Sequence, residues 1–275
     1  MTLLLSRPDL QVHHASWSEL AAALPRRDDG TVCDALIVDA PYSEKTHAGH
    51  DGGVMQSARL HDAAKRTFKK EKGRRYAAKL AAGGRTHRRQ IDYPPWSETD
   101  IDAFVASWAP LTRGWFVSIT DHVLAALWER ALRSMGRYVF APLPFVSPGS
   151  RVRLTGDGPS NWTCWIVVAR PSRPPFSKWG TTVGAYVVNP EDMPVVGGKP
   201  VALLRALIRD YSRPGDLVCD PCCGGGSAGV AAKIEGRRFV GGDLDRQHAE
   251  IAAERCRDVP TVDSAGTLAL FAEVG

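Results

Sequence analysis

At 275 residues, 44% hydrophobic and 24% charged, the chain is long enough for one α/β core with a sizeable insertion and too apolar for wholesale disorder. No apolar run reaches the roughly eighteen residues of a membrane span. Met1–Leu20 carries Asp9, His13, His14 and Glu19 where a signal peptide needs an apolar stretch, so a cytoplasmic protein is expected. The net charge of +5 is unevenly spread: residues 43–96 hold 13 Lys or Arg against 5 Asp or Glu, and the remainder is slightly acidic. That asymmetry points to a polyanionic partner.

In chain order, Leu10–His13 is a short apolar strand candidate, and Ser16-Trp17-Ser18-Glu19 reads as a capping box opening a helix to Leu24. Ala35–Val38 has the continuous apolar pattern of a strand buried on both faces, and it ends in Asp39-Ala40-Pro41-Tyr42. The basic segment follows, with a charged helix expected over Asp62–Leu80 and closure at Pro94-Pro95. From Ser97 a strand–helix rhythm resumes. Helices are expected from Ser97 to Trp108 and from His122 to Met135, the latter capped by Asp121, with strands at Trp115–Ile119, Tyr138–Ala141 and Trp162–Ala169. Pro142–Asn161 reads as a Gly/Pro-rich excursion. Val201, Leu204, Ile208 and Tyr211 mark a helix face, followed by strands at Leu217–Asp220 and Arg238–Gly242 and helices at Ser227–Glu235 and Arg246–Arg257. The alternation predicts a largely parallel sheet with helices on both faces.

Two motifs carry chemistry. Asp220-Pro221-Cys222-Cys223-Gly224-Gly225-Gly226-Ser227 lies between a strand and a helix, where glycines let a nucleotide-like ligand pack against backbone. Asp243 ends the next strand, placed to accept from ribose hydroxyls. No Gly-Lys-Ser/Thr follows the glycines, so this is not a phosphate loop, and S-adenosylmethionine, with ribose and adenine but no phosphate, is the expected cofactor. The six cysteines are not spaced like a disulfide framework, and Cys219-x-x-Cys222 has no second ligand pair, so no metal is expected. The second motif, Asp39–Tyr42, combines a carboxylate, a proline-stiffened turn carbonyl and an aromatic face, the parts needed to grip a planar group bearing –NH2.

Together the motifs resemble those of the S-adenosylmethionine-dependent DNA amino-methyltransferases (adenine N6 and cytosine N4), whose hallmark is Asp/Asn/Ser-Pro-Pro-aromatic. Asp39, Ala40, Pro41 and Tyr42 match the catalytic motif, with Ala40 in place of the first proline. Asp220–Ser227 resembles the family's cofactor loop, with Cys222 for Phe and Gly225 for Ser. Gly198-Lys199-Pro200 looks like the end of the segment that closes over the cofactor. The motif order is that of the permuted β class. The resemblance implies a Rossmann-like, mostly parallel seven-stranded methyltransferase sheet with helices on both faces. Residues 1–42 would form its first part, 43–96 a basic DNA-contacting insertion and 97–275 the remainder. It further implies cofactor contacts from Asp220, Pro221, Cys222, Gly224, Gly226, Ser227, Asp243, Leu244, Lys199 and Pro200.

On this reading the target base is flipped out of the duplex and stacked on Tyr42, and an acidic first residue favours adenine. Lys65, Arg66, Lys69, Lys70, Arg74, Arg75, Arg88 and Arg89 supply phosphate contacts to DNA. Trp162, Trp165 and Trp179 are read as core residues, and Asp121 as a helix cap. Cytosine N4, RNA and a protein amide stay open as acceptors, as do a homodimer, a partner restriction enzyme and a non-catalytic nucleic-acid-binding role.

Overall fold

Period-2 alternation along the central strands decides the architecture of the computed structural model, which describes residues 1–48, 91, 93–150, 158–172 and 179–259. Ten strands form one sheet: β1 (Thr2–Ser6), β2 (Leu10–His14), β3 (Cys33–Asp39), β4 (Thr112–Thr120), β5 (Arg137–Val139), β6 (Leu143–Val146), β7 (Thr163–Pro171), β8 (Tyr186–Val187), β9 (Leu217–Asp220) and β10 (Arg238–Asp243). The helices among the described residues include α1 (Trp17–Ala23), α2 (Glu98–Trp108), α3 (Ala125–Ser134), α4 (Val201–Tyr211), α5 (Ser227–Ile234) and α6 (Arg246–Asp258). Along β3, Ala35 and Ile37 face a cluster built with α4, α5 and α6, while Leu36 and Val38 face one built with α1, α2 and α3. A strand sandwiched in this way must be apolar on both sides, as β3 is. Full burial of a side chain such as Phe104 or Leu207 contributes about 1.5–3 kcal/mol.

The strand order is β1-β2-β10-β9-β3-β4-β7-β6-β8, with β5 also on β7. Strands β2, β10, β9, β3 and β4 run parallel, and β7 is antiparallel to β4. β5 and β6 pair successive stretches of β7 as one strand interrupted at Phe140–Pro142, which gives the seven positions of the expected sheet. β1 and β8 extend it at its two edges.

Three strands escaped the sequence reading. β1 is an exposed edge strand, β8 has only two residues, and β6 lies inside the stretch taken as irregular because Pro142 and Pro144 hide it. The helix after β4 starts at Ala125, three residues later than expected, because a turn over residues 122–124 precedes it. The Ser16 box is present: Glu19 N–H donates to Ser16 Oγ at 3.2 Å and Ser16 N–H to Glu19 Oε2 at 2.8 Å. The expected Asp62–Leu80 helix lies outside the described residues.

Candidate active site

The strand order reverses between the parallel neighbours β9 and β3. From β9 the chain winds through α5 to β10, and from β3 it winds the other way to β4. Open α/β sheets leave a crevice at the carboxyl ends of strands around such a point. Asp39 ends β3, Asp220 ends β9 and Asp243 ends β10, so three carboxylates stand on neighbouring strand ends. Asp220 is 3% exposed, and burial pushes its carboxyl well above the usual range, with Asp39 and Asp243 adding to the shift. Burial also raises Asp243, against the opposing N–H groups of Asp245 (2.9 Å to Oδ1) and Gly224 (2.8 Å to Oδ2). A negative, partly desolvated arc of this kind suits a cationic ligand.

The glycine loop is used differently from expectation. A Cβ on Gly225 would lie 2.9 Å from Val195 Cγ2, and one on Gly226 would lie 2.7 Å from Ala252 Cα. Gly226 is therefore required by protein packing, and Gly225 packs closely on the Val195 side chain while bordering the cleft. Gly224, at φ +49, has open space where its Cβ would point. It lines a cleft of about 340 Å3 together with Asp220, Pro221, Cys222, Ser227, Asp243 and Leu244. That size lies within the range of small-molecule sites.

A second cavity, of about 330 Å3, adjoins the first. Ala40, Tyr42, Phe145, Ser147, Trp162 and Thr163 contribute to its walls. Asp39, Tyr93, Gly197, Gly198 and Lys199 border both spaces. The carboxylate of Asp39 thus sits on the partition between a chamber lined by the glycine loop and a chamber lined by aromatic and small polar side chains.

Lys199 belongs to that partition. Its Nζ donates to Asp39 Oδ2 at 2.6 Å and to the Gly197 carbonyl at 2.8 Å, and it lies 4.8 Å from the centre of the Tyr42 ring. With 10% of its side chain exposed, the ammonium is directed at Asp39 and Tyr42, contacts the sequence reading did not assign to it. The Tyr42 carbonyl accepts from Trp96 N–H at 3.0 Å, and His47 and Tyr93 meet edge to face at 5.4 Å. The basic segment therefore leaves the core and returns to it at the same place, beside the second chamber.

Of the residues expected at the cofactor, Gly226 supports the loop without lining the cleft, and Pro200 borders the second chamber and caps α4. Trp165 and Trp179 pack against the core as expected, whereas Trp162 is 43% exposed and lines the second chamber. Sequence reasoning missed Trp17, Tyr93, Trp96, the Met193–Gly197 wall and His248, all of which line the cleft from outside the two motifs. Trp96 directly after Pro94-Pro95 was the available signal. Lys65, Arg66, Lys69, Lys70, Arg74, Arg75, Arg88 and Arg89 lie outside the described residues.

Residues 191–254 match the family of DNA methylases that includes the N6 and N4 methyltransferases. A type II methyltransferase of Streptococcus pneumoniae, M2.DpnII, is 42% identical over 57 residues, 21% of each chain. The chain thus spans about a fifth of the length of the curated relatives it matches. Among solved structures, the S-adenosylmethionine complex of M1.HpyAVI aligns with a TM-score of 0.59 at 17% identity, over 90% of this chain and 98% of that one. The PvuII DNA methyltransferase, cytosine-N4-specific, aligns with a TM-score of 0.62 at 11% identity, over 92% and 88%. The segment 191–254 is thus similar to the N6/N4 DNA methylases, and the fold around it is similar to the folds of M1.HpyAVI and the PvuII DNA methyltransferase.

Proposed function

We propose that this chain transfers a methyl group from S-adenosylmethionine to the exocyclic amine of a base in DNA, with adenine N6 as the acceptor. The observation that carries the reading is the position of Asp39 on the wall shared by the two chambers. One chamber has the features of a cofactor site: Asp220 and Asp243 on strand ends, an open face at Gly224 and an acidic lining matched to a sulfonium. S-adenosylmethionine, when bound there, supplies a methyl carbon that a nitrogen lone pair can take as the C–S pair returns to sulfur. Asp243 would accept from ribose hydroxyls with the lone pairs its two backbone donors leave.

The chain's part is binding and alignment. Lys199 holds Oδ2 of Asp39 and so fixes the plane of the carboxylate at the partition. Asp39 accepts one hydrogen of the amine and the Ala40 carbonyl the other, which draws the nitrogen away from conjugation with its ring. Tyr42 provides the stacking face for a base lifted out of the duplex. The surplus N–H proton leaves to water through the open mouth of the second chamber. Proximity and orientation can supply much of the acceleration, with no covalent enzyme intermediate. The acidic residue at position 39 favours adenine over cytosine by the family's tendency.

Incubation with methyl-labelled S-adenosylmethionine and unmethylated DNA, followed by nucleoside analysis, tests the reading. Label in N6-methyladenine is expected. Label in N4-methylcytosine would replace the acceptor, and label in RNA alone or nowhere would remove the proposal. Asp39→Ala should lose transfer by at least about a hundredfold while cofactor binding stays nearly intact.

A further inference from the structure

We propose that Asp121 is a positioning residue for the amine-gripping motif, acting through Ser43 and Thr46; this rests on the amino-methyltransferase reading above. Asp121 follows β4 directly, is 5% exposed and stands 78 positions from Ser43. Its Oδ1 accepts from Val123 N–H and Leu124 N–H, both at 3.0 Å, and so caps the turn that enters α3. Its Oδ2 is directed to the other motif entirely. It accepts from Ser43 Oγ at 2.5 Å, Ser43 N–H at 3.0 Å and Thr46 Oγ1 at 2.6 Å. A helix cap explains the first oxygen and leaves the second unaccounted for.

Ser43 is the residue after Tyr42, so this clamp fixes the chain where it leaves the motif. Lys199 fixes it at the opposite end, on Asp39. The stretch from Asp39 to Ser43 is therefore gripped at both termini. Ala40 stands where the resembling family has a proline, whose ring would lock φ. The clamp supplies from outside a rigidity that this sequence omits from the loop. Only a carboxylate can do so: Oδ1 accepts two backbone N–H groups and Oδ2 accepts a third with two hydroxyls, so an amide in either orientation would face its nitrogen to an N–H donor.

Ser43 and Thr46 can be altered without touching the α3 cap, which separates positioning from folding. The experiment compares Ser43→Ala/Thr46→Val, Thr46→Val and Thr46→Ser with the parent for methyl transfer to DNA, cofactor affinity and amide hydrogen exchange. The double variant is expected to lose about tenfold or more in kcat, with KM for S-adenosylmethionine within about twofold of the parent. Exchange should rise over residues 40–48 and stay unchanged over 125–134. Thr46→Ser, which keeps the hydroxyl, should recover most of the activity lost in Thr46→Val. Unchanged kcat and exchange in the double variant would overturn the proposal. So would equal losses in Thr46→Ser and Thr46→Val, or a matching loss of cofactor affinity and α3 protection. If the parent transfers no methyl to DNA, the enzymatic reading fails, and the exchange arm alone decides whether the clamp exists.

Discussion

Asp220 is buried at a strand end where holding a charge is costly, and its neighbours Asp39 and Asp243 add to the cost. Its Oδ1 accepts from Cys222 N–H at 3.1 Å, a bond that an asparagine oxygen can also accept. Asp220→Asn should therefore stabilise the ligand-free protein and weaken cofactor binding, an exchange of stability for function. The sign follows from linkage. A carboxyl whose folded pKa is raised binds its proton more tightly folded than unfolded, so its contribution to stability falls as pH climbs from the unfolded carboxylate range through the raised value. The gain from Asp220→Asn should grow as pH climbs above the unfolded carboxylate range and vanish in acid, where the parent carboxyl is itself neutral. Denaturant melts of both proteins across pH would show this. A gain independent of pH would assign Asp220 a role other than buried charge. Asp220, Asp243 and Asp39 were legible in the sequence because each follows an apolar run that can only be a buried strand. The partnership of Lys199 with Asp39 was not legible: it spans 160 positions, and only the meeting of β3 with the segment before α4 brings it about.

The junction of α5 with α6 shows why the glycine loop has its form. Gly226 is the N-cap of α5 at φ +78, and a Cβ there would meet Ala252 of α6 at 2.7 Å from its Cα. Gly226→Ala would thus combine left-handed strain with a backbone clash. A cost of about 2–4 kcal/mol is expected, readable as a lowered denaturation midpoint. Gly224→Ala meets nothing within 4 Å, so only its φ of +49 opposes it and the cost should be about 1–2 kcal/mol, the strain of a left-handed L residue without a clash. Equal losses at the two positions would refute the division between a packing glycine and a cleft-facing one. Sequence pattern located the loop and both flanking elements. It could not say which glycine faced protein and which faced the cleft, since that depends on the approach of α6 and of Val195 from elsewhere in the chain. The same limit applies to β6, whose prolines conceal a strand that pairing with β7 and β8 establishes.

At the level of the molecule, charge and topology converge on the segment after Tyr42. Residues 43–96 carry an excess of eight positive charges, and the rest of the chain is slightly acidic. Both ends of the segment are fastened at the second chamber, by Trp96 N–H on the Tyr42 carbonyl and by the contact of His47 with Tyr93. Replacing residues 49–90 with a short Gly/Ser linker should leave the fold and cofactor binding close to those of the parent, since loop closure depends only weakly on length. DNA affinity should fall sharply, and the dependence of its logarithm on salt should flatten by about 0.9 for every phosphate contact removed. Charge reversal at Lys69, Lys70, Arg74 and Arg75 in the full chain should flatten the slope in the same direction by a smaller amount. Melting temperature and calorimetry with S-adenosylmethionine report on the core, while titrations with unmethylated duplex over a range of salt report on the segment. A linker variant that keeps the parent's salt slope would move the DNA-binding surface onto the core. One that loses cofactor binding as well would make the segment part of the catalytic fold and not an insertion into it.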